Sequence, residues 1–308
     1  MNILSLYDGI SCGRAALDRA GITVERYVAY EIAPNAIEIS RKNYPDIEHN
    51  GDVCVANFQQ YSGFDILMGG SPCQNMSTLG DRKGLSGKKS KLFYEFPRAI
   101  AECNPKYFIF ENNANMPQKD KEEITKILGV EPNEINSNLF VPQNRNRFYW
   151  VGKLTADGTY NTIHIKKPHS TNRKTLKDIL LPTHEPITLV PSVIEKIPLI
   201  TKKFGYIPPM FNPYNMSEIK DVHPCLTASG NRQTTSSNVL LYDGDCFSML
   251  SPVEWERLQS LPDNYTFGLK NGARKNLIGN GWTVDVIVYI LEEIKKEFDF
   301  SYGKKTIK

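Results

Sequence analysis

The six cysteines, Cys12, Cys54, Cys73, Cys103, Cys225 and Cys246, are scattered over 308 residues without a single Cys-x-x-Cys pair. That spacing indicates neither a zinc site nor a disulfide framework. Net charge is nearly absent too, since 37 Lys and Arg against 34 Asp and Glu leave +3. A basic surface for a polyanion must therefore be local, and the stretch with Arg82, Lys83, Lys88, Lys89 and Lys91 is the clearest candidate. No apolar run approaches the ~20 residues of a membrane span. The start, Met1-Asn2-Ile3-Leu4-Ser5-Leu6-Tyr7-Asp8, has no basic region or signal-type segment, which points to the cytoplasm. The dinucleotide pattern G-x-G-x-x-G, which brings backbone close to a pyrophosphate, is missing as well. Internal repeats and low-complexity segments are not evident.

What is there begins with a strand, loop and helix. Asn2 to Leu6 is apolar, Asp8-Gly9-Ile10-Ser11-Cys12-Gly13 forms a glycine-containing loop, and Arg14 to Ala20 has a helical pattern that Gly21 ends. A tight glycine turn suits a nucleoside ligand without phosphates, such as S-adenosylmethionine, and a plain strand-to-helix turn is the other reading. Next, Tyr27-Val28-Ala29-Tyr30 is a short strand ending in Glu31, and Ala33 to Tyr44 reads as helix. A carboxylate at the end of a second strand can accept the hydroxyls of a ribose; the alternative is a solvated loop acid. Asp52 stands where a third strand should end and can accept an adenine amino group.

The stretch Gly69-Gly70-Ser71-Pro72-Cys73-Gln74 follows the apolar run Phe64 to Met68. It puts one thiol at the carboxyl edge of a sheet, where open α/β proteins bind ligands. Thr78 to Lys91 then combines Gly80, Gly84 and Gly87 with the cations named above. Taken alone, a cysteine such as Cys73 is more often a buried small hydrophobe than a nucleophile. Tyr107-Phe108-Ile109-Phe110 is an apolar strand ending in Glu111-Asn112-Asn113, and a carboxylate at the tip of a buried strand needs a ligand or partner. Gln143-Asn144-Arg145-Asn146-Arg147 sets two arginines at i and i+2, which on a strand point the same way.

Between Pro168 and Pro224 lie nine of the nineteen prolines, and regular periodicity fades, as in a small loop-rich second domain. Order returns at Ser251-Pro252, an N-cap followed by proline at the first helical position. After Gly279-Asn280-Gly281-Trp282-Thr283, the residues Val284, Ile287, Val288, Leu291, Ile294 and Phe298 form one apolar helical stripe.

In chain order, Pro72-Cys73-Gln74, Glu111-Asn112, Gln143-x-Arg145-x-Arg147 and Pro252-x-Glu254-x-x-Arg257-Leu258-Gln259 resemble the DNA (cytosine-5)-methyltransferases, and the resemblance runs from Asn2 to about Phe298. It implies an α/β chain with a doubly wound, Rossmann-like S-adenosylmethionine-dependent catalytic domain at 1–154 and 246–300, and a smaller target-recognition domain at 155–245. It also implies double-stranded DNA as partner, action as a monomer, no metal, and a role in restriction-modification or in protecting phage or host DNA. The implied cofactor pocket holds Tyr7, Gly9 and Ile10, with Glu31 on the ribose, Ile32 on the adenine, and Asp52 and Val53 on its edge. Pro72, Leu92, Asn280 and Trp282 complete that pocket. Cys73 is the implied nucleophile, Glu111 and Arg147 hold the cytosine ring, and Arg145 holds phosphate. The chain departs from the family at Tyr7, usually Phe, at Asn113, usually Val, and at Gly281-Trp282, usually Ser-Val. An RNA cytosine methyltransferase of the same fold and a non-catalytic DNA-binding relative are the alternatives.

Overall fold

The computed structural model describes residues 1–71, 92–168 and 174–303, with backbone alone for 297–303. The chain forms two compact units, the first comprising Met1–Ile135, Asn146–Lys167 and the chain from Val286 onward, the second Asn136–Arg145 and Pro168–Asp285.

The first unit is built on strands β1 (Asn2–Leu6), β2 (Arg26–Tyr30), β3 (Glu48–His49), β4 (Ile66–Gly69), β5 (Tyr107–Asn113), β6 (Pro132–Asn136), β7 (Asn146–Leu154) and β8 (Tyr160–Thr162). They lie in the order β3-β2-β1-β4-β5-β7-β6, with β8 paired to β7. Strands β1 to β5 run parallel, and β7 runs antiparallel to β5. Parallel strands are covered on both faces, so they read as unbroken apolar runs. Ile3, Leu4, Val28, Ile66, Leu67, Phe108, Ile109 and Phe110 are accordingly fully buried. Between them run the helices α1 (Cys12–Arg19), α2 (Pro34–Asn43), α3 (Glu95–Cys103) and α4 (Gln118–Leu128).

The strand order reverses between β1 and β4, and the carboxyl ends at such a switch point are where open α/β sheets bind ligands. Leu6 pairs with both Tyr30 and Gly69 there. Gly69 is required by close approach, because a Cβ on it would sit 2.6 Å from the Leu6 carbonyl oxygen. The chain leaves this point toward Cys73, which with Pro72 lies outside the described residues, as do the cations at 82–91.

The second unit carries an antiparallel sheet of β9 (Met210–Asn212), β10 (Ser217–Glu218), β11 (Leu240–Tyr242) and β12 (Phe247–Met249), in the order β10-β9-β11-β12. Its helices are α5 (Pro191–Ile194), α6 (Ile197–Phe204), α7 (Pro252–Leu258) and α8 (Asn271–Asn280). Ser251 caps α7 in a capping box with Glu254, as its sequence predicts.

The bounds differ from the expected 155–245 for a physical reason at each end. Residues 160–162 pair as β8 with β7, which keeps them with the large sheet. At the other end, Trp255, Leu258 and Ile278 share one core with Leu176, Met210, Leu226 and Val239, which holds α7 and α8 in the second unit. The last helix, α9 (Val284–Gly303), buries Val286 and Ile290 beside the expected Val284, Ile287, Leu291 and Ile294, and leaves Val288 only half-buried. Among the described residues no helix is long and apolar enough to cross a membrane.

Candidate functional site

The expected pocket residues of the first unit converge on the ends of β1, β2 and β3. The turn after β1 is tightly wound, with Tyr7, Gly9 and Ser11 all at positive φ (58°, 59° and 61°). Glu31, next after β2, faces that turn: its Oε2 accepts the Gly9 N–H at 2.9 Å, and its Oε1 accepts Ile32 N–H at 2.9 Å and Ala33 N–H at 2.8 Å. An ionised carboxylate offers about four acceptor positions, so three backbone donors orient Glu31 and leave it capacity for a ligand hydroxyl. Beside it Ile32 is 69% exposed, a large apolar side chain without cover, whereas Ile10 and Val53 are buried. Asp52 is exposed and accepts the Cys54 N–H at 2.9 Å, capping a single helical turn after β3.

Leu92 joins this edge through Tyr7, whose hydroxyl donates to the Leu92 carbonyl at 2.5 Å. Burial first, then the negative field of Glu95, Cys54 and Asp52, pushes the Tyr7 hydroxyl above the ordinary phenol range, which keeps it a donor.

Two residues missed in the sequence organise this edge. Asp8 accepts hydroxyls from Ser5 at 2.6 Å, from Tyr27 at 2.7 Å and from Ser11. Burial raises its pKa, against those three hydrogen bonds, and the Glu31 charge adds to the rise. The Ser-x-x-Asp-x-x-Ser spacing was the available signal. Arg98 on α3 donates to the carbonyls of Val53 at 3.0 Å and Ala56 at 2.9 Å, and no local pattern announces that reach.

A second cluster lies at the tip of β5. Glu111 and Arg147 meet across the antiparallel β5–β7 pair, with Arg147 Nε 2.9 Å from Glu111 Oε1 and both side chains only 12–13% exposed. Arg147 Nη1 also donates to the Asn146 carbonyl at 2.8 Å and to Asn113 Oδ1 at 3.4 Å, so the Asn that replaces the usual Val touches this arginine. Gly69 pairs with Phe110, and Glu111 therefore stands one residue beyond the point where the chain departs toward Cys73.

Arg145 is placed differently from Arg147. It precedes β7, so strand alternation does not align it with Arg147. It is 5% exposed in the second unit, where it donates to the carbonyls of Leu226 at 2.9 Å, Gly281 at 2.8 Å and Gly279 at 3.3 Å. A guanidinium turned onto three carbonyls clamps segments of its own unit. Gln143 is likewise fully buried, bonded to Leu258, Gln259 and Leu226. Asn280 is exposed at the end of α8 and Trp282 half-buried before α9; both belong to the second unit, and Gly279-Asn280 closes a helix where a loop was expected.

Comparison with known proteins returns one family model, described as C-5 cytosine-specific DNA methylase, matching residues 1–296. Among curated relatives, the orphan methyltransferase M.SPRI of Bacillus phage SPR is 32% identical over 164 residues, 49% of this chain, and M.Rho11sI of Bacillus phage rho11s is 35% identical over 169 residues, also 49% of this chain. The chain spans only 37% and 33% of the length of these two relatives. The type II methyltransferase M.HhaI of Haemophilus parahaemolyticus is 24% identical, with 97% of this chain and 96% of that one covered. In fold, the chain resembles the Entamoeba histolytica methyltransferase EhMeth, at TM-score 0.74 and 17% identity, with 97% of this chain and 98% of that one covered. The Schizosaccharomyces pombe Dnmt2 methyltransferase follows at TM-score 0.70 and 18% identity, with 97% and 99% covered.

Proposed function

Because the chain belongs to the C-5 cytosine-specific DNA methylase family, we propose that it transfers a methyl group from S-adenosylmethionine to carbon-5 of a cytosine in double-stranded DNA. The observation that carries this reading is the Glu111–Arg147 pair at the sheet edge, next to the exit toward Cys73.

Carbon-5 of cytosine is a weak nucleophile. Addition of the Cys73 thiolate to carbon-6 makes the ring an enamine whose carbon-5 can take up an electrophile. Charge then grows on the ring, where Glu111 holds N3 and the exocyclic amine, and Arg147 holds O2. Loss of the carbon-5 proton afterwards expels Cys73. None of this is accessible in a stacked duplex, so the cytosine is turned out of the helix.

The residues at the ends of β1 to β3 fit the cofactor. Glu31 is oriented with acceptor capacity left for the ribose, Ile32 offers an exposed apolar face to the adenine, and Asp52 and Val53 stand at its edge, with Tyr7, Gly9, Ile10 and Leu92 around them; Pro72 is assigned to the pocket by resemblance alone. Bound there, S-adenosylmethionine supplies the electrophilic methyl on its sulfonium. Asn280 and Trp282 are assigned to the same pocket by resemblance. The second unit is assigned target recognition, and the relatives' names support a role in DNA modification of the restriction or phage type.

The test is duplex DNA carrying 5-fluorocytosine at the target. Fluorine cannot leave as a cation, so a covalent adduct should form with S-adenosylmethionine, survive denaturing electrophoresis and vanish in Cys73→Ala. An adduct that persists in Cys73→Ala, or one formed on transfer RNA and never on DNA, overturns the reading.

A further inference from the structure

Position 7 carries one oxygen more than the phenylalanine usual in the resembled family, and that oxygen is in use. Tyr7 sits at φ 58°, a backbone region that bulky residues seldom adopt and that persists only where surroundings hold it. Its ring packs on the core of the first unit together with Leu92 and Ala56, and its hydroxyl reaches across 85 residues of chain to the Leu92 carbonyl. Leu92 leads directly into α3, and Arg98 of α3 grips the Val53 and Ala56 carbonyls of the turn after β3. Gly9, two residues from Tyr7, is bonded to Glu31. The segments that hold Gly9, Glu31, Val53 and Leu92 are thus linked by side-chain hydrogen bonds into one frame around the sheet edge.

We infer that the Tyr7 hydroxyl is a positioning group for the cofactor pocket, holding the Leu92 carbonyl so that this frame is ordered before the ligand arrives. The inference rests on the reading that this edge takes S-adenosylmethionine. A pocket wall that is already ordered spares the ligand the entropy of ordering it. Removing the oxygen leaves a partly buried carbonyl without this donor and releases Leu92 from the turn after β1.

Titration calorimetry of the full chain with S-adenosylhomocysteine tests this on Tyr7→Phe, which keeps the ring, with Glu31→Ala as the reference for the pocket and circular dichroism as the check on folding. In Tyr7→Phe the dissociation constant should rise about tenfold, the scale set by one lost buried hydrogen bond. In turnover the loss should fall on KM for S-adenosylmethionine more than on kcat. Replacing Tyr7 with 4-aminophenylalanine restores a donor and should restore affinity. Wild-type affinity in Tyr7→Phe, with weakened binding in Glu31→Ala, overturns the inference and leaves the pocket reading standing. Wild-type affinity in both overturns the two together. A lower melting temperature without a change in affinity marks a bond that serves the fold alone, and also overturns it.

Discussion

At the scale of single residues, the 2.9 Å contact between Arg147 and Glu111 lies largely out of water, so truncating either side chain strands a charge that its neighbour had balanced. Arg147→Ala should lower kcat by about 10²–10³-fold, the usual effect of removing one donor from developing charge, while duplex affinity falls much less. Stopped single-turnover assays and filter binding measure the two separately. Arg145, two positions earlier, should behave in the opposite way. Its contacts are carbonyls of its own unit, so Arg145→Ala should cost about 2–4 kcal/mol of stability by urea unfolding. The slope of log affinity for DNA against log salt should stay as in the wild type, whereas loss of a phosphate ligand would lower it by about one. The i and i+2 spacing of the two arginines predicts side chains on one strand face. The strand starts one residue after Arg145, and the carbonyls that capture Arg145 are at least 81 residues away in sequence. No local pattern encodes such a partner.

At the scale of elements, the central strands were legible because parallel strands buried on both faces leave unbroken apolar runs, and α7 because its capping box is local. Ser251→Ala should lower stability by about 1 kcal/mol, seen as a reduced melting temperature. What α7 and α8 enclose was not legible. His223 is fully buried beside Trp255, and Lys275 of α8 lies with its ammonium 5.4 Å from the Trp255 ring centroid. Burial pushes His223 down to about 4 from 6.5, and Lys275 down to about 8 from 10.5. Each base binds its proton more weakly folded than unfolded, so each contributes a stability that rises with pH between its two pKa values. For His223 the contribution is complete above pH 6.5 and is lost as pH falls toward 4, about 3 kcal/mol in all. For Lys275 stability should climb from pH 8 to 10.5. Urea unfolding across pH should show both slopes; His223→Gln should flatten the acid one and Lys275→Met the alkaline one.

At the scale of the whole molecule, the order of motifs was enough to read the family, while the unit boundaries depended on packing that motifs do not report. Trp255 and Ile278 fall within the 246–300 segment that the resemblance gives to the catalytic domain, yet their side chains complete the core around Leu176, Met210 and Leu226. If the second unit reads the target, exchanging 168–285 with the matching segment of a relative of known specificity should move the methylated site. A functional chimera that kept the original site, scored by bisulfite sequencing, would place specificity in the first unit. The chain path between units also bears on how the protein is made. It departs from the first unit at Asn136, returns at Asn146, leaves again at Pro168 and returns at Val286. On a ribosome, neither unit is therefore complete until nearly the whole chain has emerged, and strands β1 to β8 wait for α9 through more than a hundred residues of the other unit. Chains with such long-range closures fold slowly and expose apolar strand edges meanwhile. Slower elongation or added holdase chaperone should thus raise the soluble yield of this protein more than a lower final concentration does.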